Sequence, residues 1–478
     1  MDQNLDVKKT PSLGFSLILL FIIGTFMVVG IRVFKAPLAV VMFLAWLIIN
    51  AFAYFLGYTY KELEKIAINT ISNSLQAVII MLGVGVLISS WIAAGTVPTI
   101  IYYGLEIINP KFFLFTSLLI CAITSLFTGT SWGTIGTVGI ALLGIGNGMG
   151  VNPGMTAGAI ISGAWFGDKL SPLSDTTNFA SSVMGVPLMT HIKSMLYSSV
   201  PTFIATAIIF LILGFGDGTS AVSTNAINNI QAGLNANFKL GLIPLIPMVV
   251  VITLLLKQRP PAQSILIGGA LGMLIAIAYQ GMDISMVLQA ALTGFDYEFS
   301  DEFLTTLLNC GGMDSMTRTI QALIFTTGMG GMLREMRILN VIVDKISHKI
   351  KSAFQSILAA MLVSYSSIAL TGSHMFAAIM VESTCKDLFK RNGLKPENAS
   401  RICEDCGTLG VTLIPYGVTA LFIVDTLGIA FTEYVPYAFF CYLSPVFTLI
   451  LALTGFGIFK YSESEMKVME QRGEIWKY

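Results

Sequence analysis

The chain has 478 residues, of which 55% are apolar and 11% charged, with 27 Lys and Arg balancing 27 Asp and Glu. An ordinary soluble chain carries roughly 25% charged residues, so a water-soluble globular domain is excluded, and zero net charge gives no basis for nucleic-acid binding. The apolar runs are continuous rather than alternating, and mean hydropathy is +0.79. That pattern predicts an all-α polytopic membrane protein rather than an outer-membrane barrel.

Residues 1–13 are expected to be a cytoplasmic N-terminus. The run 14–33 is too long for a signal h-region and lacks a small-residue cleavage end, so it is read as a retained first span. A second span covers 37–56. Residues 58–73 are amphipathic, with Lys61, Glu62, Glu64 and Lys65 on a polar side, and are expected at the interface. A third span covers 75–94, and 96–109 reads as a short connector. Segments 112–127 and 134–146 are each about 20–24 Å long as helices, short of the roughly 30 Å hydrocarbon core. With Thr128-Gly129-Thr130-Ser131-Trp132-Gly133 between them, they predict a re-entrant hairpin with its polar tip near mid-membrane.

The next stretch, 163–178, contains Gly167-Asp168-Lys169-Leu170-Ser171-Pro172-Leu173-Ser174-Asp175-Thr176-Thr177-Asn178. Three charges, a proline and several hydroxyls interrupt what would otherwise be one helix. Non-helical backbone at membrane depth survives only where protein or a water-filled cavity surrounds it. Segments 153–167 and 176–186 are therefore read as two halves of a broken helix. Residues 189–197 are amphipathic and carry His191 and Lys193, 200–215 is a span, and the polar stretch 216–237 is linker-like.

Beyond the linker the plan restarts. Spans at 240–256 and 262–280 precede an acidic segment, 281–312, with Asp283, Asp296, Glu298, Asp301 and Glu302. A span at 317–333 and a basic connector at 334–351 follow. Arms 353–369 and 375–389 flank a second tip, Leu370-Thr371-Gly372-Ser373-His374. Segments 396–410 and 418–429 flank a second break, Val411-Thr412-Leu413-Ile414-Pro415-Tyr416-Gly417. A last span at 436–459 leads to a mixed-charge tail. One ungapped offset, 372 − 129 = 243, relates Gly129 to Gly372, Pro153 to Pro396, Pro172 to Pro415 and Gly185 to Gly428. This predicts two transmembrane repeats, 14–215 and 238–459, joined by an external linker at 216–237, with a cytoplasmic tail at 460–478. Doubled broken helices are the signature of a secondary transporter. Five crossings per repeat make the halves inverted. Placing the N-terminus inside puts Lys61, Lys65, Lys193, Lys257, Arg259 and the 334–351 cluster inside, which satisfies the positive-inside rule.

The chemistry is expected at the breaks. An ionised Asp at mid-membrane costs about 2.5–3.5 kcal/mol, so Asp168 and Asp175 need a partner or a bound cation. Lys169 is one possible partner for Asp168. Asp175 has no adjacent cation but is surrounded by oxygens from Ser174, Thr176 and Asn178, a donor set suited to a hard cation such as Na+. A carboxylate that binds either a metal ion or a proton couples the two by competition. Thr128, Ser131, Thr371, Ser373 and Thr412 add hydroxyls at the tips and the second break. His374, Lys169 and Tyr416 are candidates for proton coupling or anion binding. Among the remaining intramembrane acids, Arg401 stands one turn before Glu404 and Asp405, suggesting a local pair, while Glu382 and Asp425 have no role assigned. Cys403 and Cys406 are read as small packing residues. Gly129-Thr130-Ser131-Trp132-Gly133 fits a serine-hydrolase motif, but the strand-to-helix elbow that motif requires is missing from the pattern, so an intramembrane hydrolase is only a distant alternative. No Walker motif is present, which argues for secondary transport.

The stretch 163–178, with Trp91-Ile92-Ala93-Ala94-Gly95-Thr96-Val97-Pro98 and residues 129–146 before it, resembles the NhaC family of sodium/proton antiporters. That family includes bacterial members exchanging proton-malate for sodium-lactate. The resemblance implies a non-enzymatic inner-membrane antiporter with no cofactor, two inverted repeats each bearing a re-entrant hairpin and a broken helix, and often a homodimer. Transported Na+ and H+, with malate or lactate as an alternative cargo, are the expected partners. The second break has Val418 where the first has Asp175, so the halves are chemically unequal.

Overall fold

The computed structural model describes residues 8–34, 36–72, 75–107, 109–216, 224–257, 259–299, 304–305, 308–347 and 350–472. Parts of the expected N-terminus, linker, acidic loop (with Asp301 and Glu302) and C-terminal tail lie outside them. The described chain is helical, with one isolated β-bridge between Leu394 and Lys460. Among the described residues, five helices are long and apolar enough to cross a membrane, and up to eight if each of three sharply bent pairs counts as one span.

Local signals set the boundaries. Ser12 caps the first helix, Leu13–Val28, and Pro37 precedes the second, Leu38–Phe55. Tyr60–Ser72 starts with a reciprocal cap: the Thr59 N–H donates to Glu62 at 2.9 Å and the Glu62 N–H to the Thr59 hydroxyl at 3.4 Å. This amphipathic helix packs on Thr317–Glu335, where Gly331 makes room for Thr70. The expected connector after the third span is helical: Val78–Ala93 bends by 65° into Thr96–Leu105, with Gly95 at φ +76° in the corner.

Both expected hairpins are present, with longer descending arms than the sequence suggests. Pro110–Thr128 and Ala353–Thr371 are each 19 residues. The first arm gains a proline-initiated turn, and hydroxyl residues extend both to the tip. Each arm ends at a left-handed glycine, Gly129 at φ +69° and Gly372 at φ +60°. Each reverses into a helix capped by a tip hydroxyl, Thr130 for Ser131–Thr134 and Ser373 for His374–Arg391. A Cβ on Gly129 would press on the backbone of Leu173, and one on Gly372 on the Tyr416 carbonyl and Gly417. Each tip therefore rests on the helix break of its own half.

The first broken helix is Pro153–Leu170 followed by Asp175–Met184, capped by Asn152 and Ser174 respectively. The second is Pro396–Leu413 followed by Val418–Leu427, bent by 50°. The most intimate packing is between Phe113–Thr128 and Pro153–Leu170. Gly163 and Gly167, one turn apart, lie against the carbonyls of Leu118 and Ala122, with no room for a side chain. Small residues four apart allow this backbone approach where no hydrophobic effect pulls helices together.

Several expected loops are ordered helix. The amphipathic segment expected at 189–197 and the span expected at 200–215 are one continuous 28-residue helix, Leu188–Phe215, with Pro201 inside it. His191, expected on a polar face, is fully buried and bonded to the Ser400 hydroxyl at 2.8 Å. The linker contains Thr224–Asn237, with Ile230 and Leu234 buried. The acidic segment contains Ile284–Thr293, and the basic connector contains Ile338–Ser347.

Candidate functional site

A cavity of about 170 Å³ lies where the two tips and the two breaks meet. Gly129, Thr130, Ser131 and Trp132 line it from the first tip, and Ser373, His374 and Met375 from the second. Trp165, Asp168, Leu173, Asp175 and Thr176 come from the first broken helix and Val418 from the second. Ile80, Pro261, Leu323 and Thr327 close it from neighbouring helices.

Helix ends dominate this cavity. Ser131, Asp175, His374 and Val418 are each the first residue of a helix, so four positive helix ends converge there. Unpaired polar atoms face the same region. Asp168 is 1% exposed; its Oδ2 accepts from the Ser131 hydroxyl at 2.6 Å, while its buried Oδ1 has no partner. The Asp175 Oδ1 accepts only the Thr176 N–H, at 3.0 Å, and its carboxylate is exposed to the cavity. The His374 Nε2 is buried without a hydrogen-bond partner.

The other expected site residues divide into supports and outsiders. Ser174 caps Asp175–Met184, accepting the Thr177 N–H at 3.4 Å, and sits 3.0 Å from the Thr176 hydroxyl. The Asn178 amide ties the break together through the Pro172 and Ser174 carbonyls at 2.9 and 2.7 Å. Thr128 is buried beside the tip with an unpartnered hydroxyl, and the Thr371 hydroxyl is used by the Ser367 carbonyl at 2.8 Å. Thr412 is buried away from the cavity lining, and its carbonyl accepts the Tyr434 hydroxyl at 2.9 Å. The Tyr416 hydroxyl is bonded to the Ala369 carbonyl.

Two expected ion pairs are corrected. Lys169 does not pair with Asp168; it turns away from the cavity and forms a fully buried salt bridge with Asp405 of the second half. Ser444 and Ser198 donate to the same Asp405 oxygen at 2.7 and 3.2 Å, and Thr448 donates to the other. Nor does Arg401 pair with Glu404 or Asp405: its Nη1 donates to the carbonyls of Ser194 and Gly457 at 3.2 and 3.0 Å. Glu382 bonds Lys386 at 2.8 Å, and Asp425 accepts from Thr319. The Ser131 hydroxyl, committed to a carboxylate at a helix start, is not arranged as a serine nucleophile. Cys403 and Cys406 are buried in a π-helical turn, and the described residues contain no group of His, Cys, Asp and Glu suited to a metal ion.

The sequence did not point to Trp165, nor to the Trp132–Phe422 stack, whose rings lie 4.5 Å apart and 9° from parallel. A second cavity of about 540 Å³ lies beyond that stack, lined by Asn147, Gly150, Asn152, Cys310, Asp425 and Thr426 among others.

Fold and site define a polytopic helical membrane protein whose interrupted helices meet at a cavity where carboxylates and hydroxyls stand among apolar side chains. A profile of the Na+/H+ antiporter family matches residues 163–456. The malate-2H+/Na+-lactate antiporter of Bacillus subtilis is 38% identical over 440 residues, 91% of this chain and 94% of that protein. The Na+/H+ antiporter NhaC of Alkalihalophilus pseudofirmus is 33% identical over 468 residues, covering 98% of this chain and all (100%) of that one. The arginine/ornithine antiporter ArcD of Halobacterium salinarum is 32% identical over 467 residues, 97% of this chain and 96% of that protein. The chain belongs to the Na+/H+ antiporter (NhaC) family.

Proposed function

We propose that this protein exchanges Na+ for H+ across the bacterial inner membrane by alternating access, with the cation held at Asp175 and Asp168. The observation that carries this is the convergence of two acidic side chains, tip hydroxyls and broken backbone from both halves on one cavity. An Oδ1 of Asp168 with no donor is an unfilled ligand, and Asp175 presents a second carboxylate. Hard monovalent cations take such oxygen donors, and protons compete for the same carboxylates. Among the described lining residues there is no Lys or Arg, because Lys169 is spent on Asp405. The names of the NhaC relatives support the same cargo.

The architecture behind this reading is two inverted repeats. The left-handed glycines support it, recurring at the same offset in Gly129 and Gly372, Gly150 and Gly393, and Gly185 and Gly428. So does the resting of each tip on its own break. The distribution of Lys and Arg supports termini on the inside.

A second reading is Na+-coupled exchange of a small carboxylate. Four converging helix N-termini form a positive end suited to an anion, and the His374 Nε2 is an unused polar group beside them. The name of the Bacillus subtilis relative supports it.

Asp175→Asn tests the first reading. In vesicles, this variant should abolish sodium-driven proton movement while the protein stays folded; sodium/proton exchange at the wild-type rate would overturn the assignment. Labelled malate or lactate in the same preparation separates the readings, since only the carboxylate exchanger moves it with sodium.

A further inference from the structure

The cation site at the tips and breaks leaves one acid and one cavity unused. Asp425 lies on the helix Val418–Leu427, 425 − 418 = 7 residues beyond Val418, which lines the smaller cavity. Seven residues are about 10 Å of helix, which carries Asp425 past the Trp132–Phe422 stack to the wall of the larger cavity. Its Oδ2 accepts from the Thr319 hydroxyl, and its Oδ1 accepts no hydrogen bond. Among the described lining residues of that cavity Asp425 is the only charged one. Arg318, next to Thr319 in the chain, is exposed and lines neither cavity.

The rest of the wall adds acceptors. Thr426 is 6% exposed and its hydroxyl has no partner; the buried Asn147 Oδ1 has none either. Two helices end here, Ile140–Gly148 and Val418–Leu427, each followed by a left-handed glycine, Gly150 at φ +68° and Gly428 at φ +67°. Both bring their negative ends to the cavity. The one helix that starts on this wall, Pro153–Leu170, is already capped: the Met155 N–H donates to the Asn152 side chain at 3.1 Å and the Thr156 N–H to the Asn152 carbonyl at 3.0 Å. The balance is negative, the reverse of the smaller cavity, where four helix starts converge. Clefts of one sign with low-dielectric walls concentrate counter-ions. A volume of about 540 Å³ holds several waters at about 30 Å³ each, so a cation here keeps its hydration shell. At the offset of 243, Asn147 and Asn152 correspond to Lys390 and Lys395, and Asp425 to Ser182. The counterpart positions are basic and carry no acid, so the acceptor-lined wall belongs to one end of the molecule only.

We propose that the larger cavity is a cation-recruiting vestibule, in which Asp425 holds a hydrated monovalent cation beyond the Trp132–Phe422 stack, on its way to or from the smaller cavity. Thr319 fixes the carboxylate, and Asn147 and Thr426 accept hydrogen bonds from the ion's waters. The same wall repels a small carboxylate, so this end of the molecule is a route for a cation and not for an anion. Sodium as the ion rests on the sodium reading above; the sign of the field does not.

The test uses the full-length protein in right-side-out and inside-out vesicles, as wild type, Asp425→Asn and Asp425→Glu, with two readouts. The first is the initial rate of radiolabelled sodium uptake against sodium concentration, with sodium offered from either side. Asp425→Asn should raise the half-saturating sodium concentration about fivefold from the side that Cys310 faces, the effect of one unit charge across a water-filled cavity. The maximal rate and the opposite side should be unchanged, and the difference should shrink in concentrated N-methylglucamine chloride, which screens the field. Asp425→Glu should behave as wild type. The second readout needs no transport, because Cys310 lines the same cavity. Relative to a free thiol, wild-type Cys310 should favour a cationic over an anionic methanethiosulfonate of matched size by about fivefold or more, and Asp425→Asn should lose that preference. An unchanged half-saturating concentration in Asp425→Asn, an equal shift from both sides, or a wild-type Cys310 with no preference for the cationic reagent overturns the proposal. If Asp425→Asn does not fold, the wild-type thiol preference decides alone. Wild-type vesicles that take up no sodium overturn the sodium reading instead, and the thiol rates still judge the vestibule.

Discussion

Lys169 illustrates how one residue can be legible as chemistry and illegible as geometry. The sequence places it beside Asp168, yet its ammonium is buried against Asp405, 236 positions away. No local rule encodes that separation. A weaker signal is present, however. Ser194, Ser198, Thr202 and Thr206 step every four residues along one helix, and Ser444 and Thr448 do the same on another; all six are buried. Such polar stripes inside apolar spans announce a buried polar centre without naming it. Removing one member of a buried ion pair leaves an uncompensated charge, costing about 3–5 kcal/mol, whereas replacing both by apolar groups is often neutral. Lys169→Met should therefore lower the thermal stability of the purified protein sharply, and Lys169→Met with Asp405→Leu should recover most of it. Equal losses in the single and double variants would show that the pair does not hold the two halves together.

At the scale of elements, hairpin tips and breaks were the most readable features. Left-handed glycines, helix-starting prolines and N-cap hydroxyls are local, so Gly129, Gly372, Pro153, Pro396, Ser174 and Ser373 act where the sequence puts them. Thr96–Ile107 and Thr224–Asn237 were not readable, because they pack on each other and the first of them follows a sharp bend. Their helicity comes from tertiary burial of a few residues, such as Ile101, Ile230 and Leu234, rather than from a full apolar face. Asp168 reaches Ser131 only because Pro153–Leu170 lies directly on Phe113–Thr128 through Gly163 and Gly167. Gly167→Val would push these helices apart, at about 1–3 kcal/mol of overpacking cost. The expected result is a lower unfolding temperature with transport lost even where the protein remains folded, because the tip hydroxyl no longer reaches Asp168. Wild-type exchange by Gly167→Val would show that the Ser131–Asp168 contact is dispensable.

For the whole molecule, the helix Val418–Leu427 links the two cavities. Val418 lines the smaller one, Asp425 to Leu427 line the larger, and Phe422 between them stacks on Trp132. That stack joins a first-half tip to a second-half broken helix, and we take it as the apolar barrier between the cavities. On the proposed orientation, with the basic segments inside, the larger cavity lies outside, since its wall includes Cys310 from the acidic segment 281–312, and Pro261, just after Lys257 and Arg259, marks the inner side of the smaller one. The cysteines make this orientation testable in the unaltered chain, because Cys310 is exposed and the other five are buried. A membrane-impermeant maleimide should label the protein in intact cells, the label should map to Cys310, and inside-out vesicles should resist the same reagent. Phe422→Ala opens the barrier by removing one ring of the stack. With a continuous aqueous path, inside-out vesicles carrying that variant should become labelled at Cys310 and should leak sodium without proton countertransport. Labelling of wild type in inside-out vesicles but not in intact cells would reverse the orientation. Labelling unaffected by Phe422→Ala would move the barrier elsewhere along the helix.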